Sequence, residues 1–134
     1  MKLSTRSRYG TRLLVDLARY NDQAPIQISE ISKRQDISVK YLEQLIRPLK
    51  KAGLVTSVRG AKGGHRLAKK PEQIKLGDIV RLFEAHSDLV DCVSSPEKCD
   101  LADDCRVRLA WKEANEVLYQ KLDSFTIADL MKET

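Results

Sequence analysis

Two apolar periodic segments, separated by a very short break within residues 28–53, constrain the fold of this chain more than any other feature. The first segment places Ile28 and Ile31 about one helical turn apart, and the second, after Ser38, repeats apolar residues every three or four positions. The break around residues 36–37 leaves room only for a tight turn. The pattern therefore predicts two short helices joined as a helix-turn-helix.

The second of these helices carries start and stop signals of its own. Ser38 is suited to cap its N-terminus and Gly53 its C-terminus. Pro48 lies inside the pattern, and because proline removes a helical hydrogen bond we expect it to kink or tighten the last turn. The residues predicted to face the core are Val39, Leu42, Leu45, Ile46 and Leu49.

Two strand-like runs follow the helix pair. The runs LVTSVRG and HRLAKK flank AKGG, whose paired glycines permit a hairpin turn. An amphipathic helix is predicted ahead of the pair, over Thr5–Tyr20. Three helices and a hairpin are the order of a winged helix-turn-helix, whose second paired helix can enter a major groove of DNA. We predict a mainly α fold with a small β-hairpin wing, and a DNA-binding domain over residues 1–70.

The charge of the chain is divided unequally along its length. Residues 1–70 carry 16 Lys and Arg against 5 Asp and Glu, a net charge of +11. Residues 71–134 carry 8 against 14, a net charge of −6. A positive excess of this size is typical of a surface that meets phosphates, because each neutralised phosphate releases condensed counterions. The charge therefore agrees with double-stranded DNA as the partner of the first half.

Residues 71–134 are predicted to hold a cysteine-bearing loop over about 91–106, a long helix, and a short final helix capped by Thr126. A domain of about 70 residues has too little surface to cover the apolar face of the long helix, so we expect this helix to pair with its copy in a homodimer. A two-fold dimer would place two recognition helices on the half-sites of a palindromic operator. The apolar face consists of Val107, Ala110, Trp111, Ala114, Val117, Leu118 and Leu122.

All 3 cysteines of the chain lie in the stretch DCVSSPEKCDLADDCR. Six residues separate the first two and five separate the second pair, whereas zinc sites commonly use tight C-x-x-C pairs. Wider spacing allows the loop to enclose an iron-sulfur cluster, which is larger than one ion. Spacing by itself leaves four readings open: a cluster, a zinc site, a thiol redox switch, or no role.

The sequence resembles the IscR/NsrR-like family of bacterial winged-helix iron-sulfur transcription regulators. The resemblance runs from MKLSTRSRYG through ISEISKRQDISVKYLEQLIRPLKKAGLV to the closing FTIADL, and SVRGAKGGHRLAK is its most specific part. It implies a homodimeric DNA-binding repressor or activator. It also implies a two-iron or four-iron cluster held by Cys92, Cys99 and Cys105.

Two positions depart from relatives that carry a cluster. Some relatives use a histidine three residues beyond the last cysteine, where this chain has Arg108, and others use an acidic residue early in the first helix, where this chain has Arg8. The fourth ligand therefore stays open. The alternatives are His86, Asp91, Asp104, a residue of the partner chain, or an exogenous thiol or water.

The resemblance also points to the recognition helix and the wing as the DNA-binding residues. On the polar face of the helix, Gln44 is suited to pair with an adenine edge and Glu43 to accept from cytosine, with Lys40 beside them. Arg59 on the wing is suited to a narrow minor groove. Ser38 and Tyr41 are expected to contact phosphate, and Lys62 adds a second wing cation.

Together these observations predict a cytoplasmic transcription regulator, a repressor, whose operator binding is controlled by an iron-sulfur cluster that senses iron or cluster status, redox state or nitric oxide. A winged-helix regulator with a structural zinc site or a thiol redox switch is the alternative. An enzyme such as a thiol oxidoreductase is disfavoured, because the chain has no C-x-x-C motif and no nucleotide-binding glycine loop. No apolar run approaches the roughly 18 residues of a membrane span, so no membrane partner is expected.

Overall fold

A computed structural model of the protein describes residues 2–84, 89 and 106–132. Its elements in chain order are α1 (Thr5–Arg19), α2 (Ile28–Gln35), α3 (Val39–Lys51), β1 (Val55–Val58), β2 (Gly64–Leu67), a 3₁₀ turn (Pro71–Gln73), α4 (Leu76–Phe83), α5 (Arg106–Asp123) and α6 (Ile127–Leu130). Three helices, a two-stranded antiparallel hairpin and further helices confirm the predicted winged helix-turn-helix.

The core forms where α1, α2 and α3 meet, and helices from the second half of the chain share it. Each large aliphatic side chain removed from water there contributes about 1.5–3 kcal/mol to folding. The side chains with no exposed surface include Leu13, Leu14, Leu17, Ile31, Leu42, Leu49, Ile74, Ile79 and Ile127. Residues before and after position 70 contribute to one core. The division into two domains at residue 70 stays a prediction.

The turn of the helix-turn-helix and the ends of α3 follow the predicted signals. Asp36 adopts a left-handed conformation with φ of 54° and ends α2, and the Ser38 hydroxyl accepts from the Tyr41 amide at 3.1 Å. Gly53, with φ of 77°, closes α3 by donating from its amide to the Lys50 carbonyl at 3.0 Å. Helix α3 continues through Pro48, and its end is tightened by this three-residue hydrogen bond.

The wing is anchored by a segment that the sequence pattern did not predict as strand. Strands β1 and β2 pair in antiparallel register, with Val55 opposite Leu67. Ile26 adds a bridge to the outer side of β2, where its amide donates to the His65 carbonyl at 2.9 Å and its carbonyl accepts from the His65 amide at 2.8 Å. The loop before α2 therefore holds the wing against the helix pair.

The last described segment is fastened to the residues before α4. Lys75 and Thr126 form an isolated bridge, and the Ile127 amide donates to the Ile74 carbonyl at 2.9 Å. Thr126 caps α6 as predicted, because its hydroxyl accepts from the Asp129 amide at 3.2 Å. These contacts place the C-terminal end of α5 beside α4.

Helix α5 buries a different side from the apolar face predicted for it. Asn115 and Tyr119 are its buried residues within the chain, whereas Val107, Trp111 and Val117 are 58%, 45% and 63% exposed. The predicted apolar face is therefore largely uncovered in a single chain. No helix in the described ranges is both long and apolar enough to cross a membrane.

Candidate nucleic-acid interface

Helix α3 presents a polar face opposite its buried leucines. Lys40, Glu43, Gln44 and Arg47 are all exposed and lie at three- and four-residue spacing, so they form one continuous stripe. The helix is strongly amphipathic because Leu42, Leu45 and Leu49 fix its other side in the core. Arg47 was not among the predicted site residues, although its spacing from Gln44 is the signal that would have found it.

The N-terminal end of α3 is tied to the start of α1. The Tyr41 hydroxyl donates to the Thr5 hydroxyl at 3.1 Å, and the Tyr41 and Tyr9 rings pack edge to face with centroids 5.9 Å apart. Ser38 is exposed and caps the helix with its hydroxyl. The two residues predicted to contact phosphate thus lie together, and both also have structural partners within the chain.

The wing places two predicted cations at its turn. Arg59 and Lys62 are exposed at the two ends of a tight turn that includes Gly60, whose φ is 108°. Within the described ranges, neither side chain makes a hydrogen bond or ion pair. Both cations are therefore available to an anionic partner on this side of the molecule.

His65 on β2 is half-buried beside the Ile26 segment. Burial lowers the pKa of His65 from its ordinary value, and the positive charge of Lys50 lowers it further, while Glu43 opposes the shift. Its Nδ1 atom lies 2.8 Å from the Ser57 hydroxyl oxygen. These influences favour a neutral imidazole at neutral pH, so His65 adds little positive charge to this surface.

An ion pair joins α2 to α1. Arg34 donates to both carboxylate oxygens of Asp16, at 2.9 and 2.7 Å, and Gln35 donates to one of them at 3.0 Å. The Arg34 guanidinium also lies 4.2 Å from the centre of the Tyr20 ring, and its hydrogen bond with Asp16 raises its pKa. Sequence reasoning missed this pair; an acidic residue beside Leu13 and Leu17 in the apolar stripe was the available signal.

Comparison with known proteins identifies the chain. The sequence pattern of Rrf2, described as an iron-dependent transcriptional regulator, matches residues 3–133. The chain belongs to the Rrf2 family. It is therefore a DNA-binding transcriptional regulator, as the sequence predicted.

Several relatives of this Rrf2 protein match it over nearly their whole length. It is 49% identical to Protein rrf2 of Nitratidesulfovibrio vulgaris over 133 residues, which are 99% of this chain and 89% of that protein. The structure of T. potens IscR matches with a TM-score of 0.78 and 39% identity, over 98% of this chain and 86% of that one. CymR, the global cysteine regulator of B. subtilis, matches with a TM-score of 0.80 and 35% identity, over 98% and 96%.

The three cysteines of this Rrf2 protein, Cys92, Cys99 and Cys105, lie outside the described residues. So do the candidate fourth ligands His86, Asp91 and Asp104, and the assignment of ligands stays a prediction. Among the residues that the structure does describe, no group of three or more His, Cys, Asp or Glu side chains is arranged to hold a metal ion.

Two described residues that precede the cysteine segment, Glu84 and Leu89, are held by hydrogen bonds. Before the segment, Glu84 accepts from Ser4 and Ser7 at the start of α1. The Leu89 amide donates to the Asn115 side chain at 2.9 Å, which ties the approach to the cysteines to the middle of α5. These hydrogen bonds connect described residues that precede the cysteines with both α1 and α5.

Proposed function

We propose that this protein is a homodimeric repressor that reads a palindromic operator with α3 and the wing, under the control of an iron-sulfur cluster on Cys92, Cys99 and Cys105. The observation that carries the DNA-reading part is the exposed polar stripe of α3, which lies opposite the buried leucines. Beside it is the wing, whose Arg59 and Lys62 are exposed and form no ion pair with any described residue.

Base readout is assigned to the middle of the stripe. Gln44 can pair with an adenine edge, and Glu43 can accept from cytosine while its charge disfavours bases that present only acceptors. Lys40 and the newly recognised Arg47 flank them, and both residue types can donate to guanine or to phosphate. Arg59 is assigned to the minor groove beside the half-site, and Ser38, Tyr41 and Lys62 to the phosphate backbone.

DNA readout is tested by selecting a duplex from a random-sequence library with the wild-type protein and comparing it with a scrambled duplex. Gln44→Ala should weaken binding to the selected duplex by a factor corresponding to about 1–3 kcal/mol and leave the scrambled duplex nearly unaffected. Lys62→Ala should weaken both duplexes equally. An equal loss on both duplexes for Gln44→Ala would contradict base readout by α3.

Dimerisation is assigned to the uncovered apolar face of α5. This face carries Val107, Trp111 and Val117, each at least 45% exposed in the single chain. A large aromatic and two valines left in water are unfavourable, and an isologous contact with a second α5 would bury them. The two recognition helices would then be related by the same two-fold axis as the operator half-sites.

Control by a cluster is supported by the three clustered cysteines and by the iron dependence in the family's description. A bound cluster would supply a group sensitive to iron supply, oxidation and nitric oxide. The chain's own contribution is the placement of Cys105 next to Arg106, where α5 begins. A change in the cysteine segment would therefore act at the first turn of the proposed dimer helix and alter the relative position of the two recognition helices.

A thiol redox switch or a structural zinc site is the second candidate for the cysteines. The similarity to CymR, the global cysteine regulator of B. subtilis, supports it, because that protein shares the fold over 96% of its length. Under this alternative the cysteines would exchange thiol and disulfide states or hold one Zn²⁺ ion, without inorganic sulfide.

The absorption spectrum of protein purified without oxygen distinguishes these candidates, when iron, acid-labile sulfide and zinc are assayed on the same sample. Charge-transfer bands with iron and sulfide would support the cluster, and about one zinc per chain without sulfide would support the structural ion. The triple Cys→Ala variant should remain a folded dimer with altered affinity for the selected duplex. Unchanged affinity and an unchanged response to oxidant would contradict a switching role for the cysteines.

A further inference from the structure

Gln27 connects the helix-turn-helix directly to the tip of the wing. Its side-chain Nε2 donates to the carbonyl oxygens of Gly63 at 2.8 Å and Ala61 at 3.4 Å. Its backbone carbonyl accepts from the amides of Glu30 at 3.0 Å and Ile31 at 3.4 Å, so Gln27 is also the N-cap residue of α2. One residue thus takes part both in the helix pair and in the wing turn.

The hairpin that carries this turn is short. Strands β1 and β2 are four residues each, and a two-stranded hairpin of this length is marginally stable by itself. Across the turn the Gly63 amide donates to the Gly60 carbonyl at 2.9 Å. The Ile26 bridge holds β2 at His65, close to the turn, and the Gln27 side chain extends this attachment to the turn itself.

The backbone of the turn is folded tightly against itself. A Cβ atom on Gly63 would lie 2.0 Å from the Val58 carbonyl oxygen, so the chain can pass there only as glycine. The Gly63 carbonyl nevertheless points outward from this contact to Gln27. Arg59 and Lys62 are carried by this same turn, and their side chains are exposed.

We propose that Gln27 is a positioning residue for DNA recognition. It holds the wing turn so that the position of Arg59 relative to α3 is fixed. This inference rests on the proposed function, because it assigns Gln27 a role in the readout by Arg59. The physical reason is entropic: a cation on an ordered turn loses less conformational freedom when it binds than one on a mobile turn. Gln27 itself need not touch DNA.

The test uses the full-length protein and a fluorescently labelled duplex selected by the wild type from a random-sequence library, with a scrambled duplex as reference. Gln27→Ala should weaken binding to the selected duplex about two- to tenfold, which is the range that the net free energy of one hydrogen bond allows. Its effect on the affinity for the scrambled duplex should be smaller. In the Arg59→Ala background the same substitution should have little further effect, because Gln27 acts through Arg59.

Two further variants separate positioning from general stability. Gln27→Glu keeps the shape of the side chain but replaces the donating amide with a carboxylate, so it should weaken binding at least as much as Gln27→Ala. Gln23→Ala is the matched control, since Gln23 is an exposed glutamine in the same loop whose side chain makes no hydrogen bond in the described ranges. Thermal unfolding of all three should stay close to the wild type, because Gln27 is an exposed residue and the net contribution of one hydrogen bond is only about 0.5–1.5 kcal/mol.

A measurement that needs no DNA reports the backbone order of the wing. The ¹⁵N relaxation of Lys62 and its neighbours in the turn should show increased fast motion in Gln27→Ala and none in Gln23→Ala. Unchanged relaxation in the turn, or an equal loss of affinity with and without Arg59, would overturn the inference. A wild-type protein that selects no sequence would instead overturn the proposed function, and the relaxation measurement would still test whether Gln27 orders the wing.

Discussion

The Ser7 hydroxyl donates a hydrogen bond of 2.5 Å to Oε1 of Glu84, and this bond joins the first turn of α1 to the residue that follows α4. The same oxygen accepts from the amide and the hydroxyl of Ser4, both at 2.9 Å. Next to Ser4, Thr5 accepts from the Tyr41 hydroxyl in the first turn of α3. A contiguous series of contacts therefore runs from Glu84, at the end of α4, to the recognition helix.

The Glu84 contacts predict a dependence of stability on acid. The hydrogen bond from Ser7, supported by those from Ser4 and by the charge of Arg6, lowers the pKa of Glu84 below its ordinary value of 4.5. The unfolded chain therefore binds this proton more readily, so the stabilisation is present above about pH 4.5 and is lost as the pH falls through the lower pKa of the folded state. Glu84→Gln should remove this part of the acid dependence.

Urea denaturation at a series of pH values between neutral and about pH 3 measures this dependence for Glu84. Glu72→Gln is the control, because Glu72 is exposed and its side chain makes no hydrogen bond or ion pair within the described ranges. If the free energy of unfolding falls equally steeply below pH 4.5 in Glu84→Gln and in the wild type, Glu84 is not the group responsible.

Loss of the Asp16 carboxylate should destabilise the protein by weakening the attachment of α2 to α1. Asp16 is 2% exposed and accepts three hydrogen bonds from Arg34 and Gln35. Asp16→Ala leaves the Arg34 guanidinium without its partner, which should lower the free energy of unfolding by about 3 kcal/mol, the low end for a buried pair because Arg34 keeps some access to water. Asp22→Ala, at an exposed position, should change it by less than about 0.5 kcal/mol in the same denaturation experiment.

Two residues of α5 with nearly equal exposure distinguish the proposed dimer face from the solvent face. Val107 is 58% exposed and Leu109 is 55% exposed, and at 3.6 residues per turn they point to nearly opposite sides of the helix. Val107→Glu should place a charge in the proposed interface and yield monomers, whereas Leu109→Glu should leave the dimer intact. Analytical ultracentrifugation at matched concentrations reports the mass of each, and identical behaviour of the two variants would exclude this face as the interface.

The His65 imidazole should titrate below its ordinary range. Burial and the nearby Lys50 lower its pKa from 6.5, so the unfolded chain takes up this proton first as the pH falls. The stability that His65 contributes is therefore present above about pH 6.5 and is lost as the pH falls through the lower pKa of the folded state. A two-dimensional NMR titration of the imidazole resonances gives its midpoint, and a midpoint at or above 6.5 would contradict the burial of His65.

Local signals were enough to predict the elements of the DNA-binding half. The cap at Ser38, the glycine at residue 53 and the apolar spacing of α3 all act within a few residues, and the structure confirms each. The polar stripe of α3 was predictable for the same reason, since burial of one helix face determines which residues remain on the other. Arg47 follows from the same periodicity once the buried face is known.

The sequence by itself determined the order of helices and hairpin, the basic character of the first half and the stripe that faces outward from α3, because each depends on neighbours close in the chain. Only the tertiary structure decided which distant groups meet: Asp16 with Arg34, Glu84 with Ser7, and Gln27 with the wing turn. These pairs lie 18, 77 and 36 residues apart, so no periodicity relates them. They form because burial of the common core brings their elements together, and directional hydrogen bonds then select among the polar groups left at its edge.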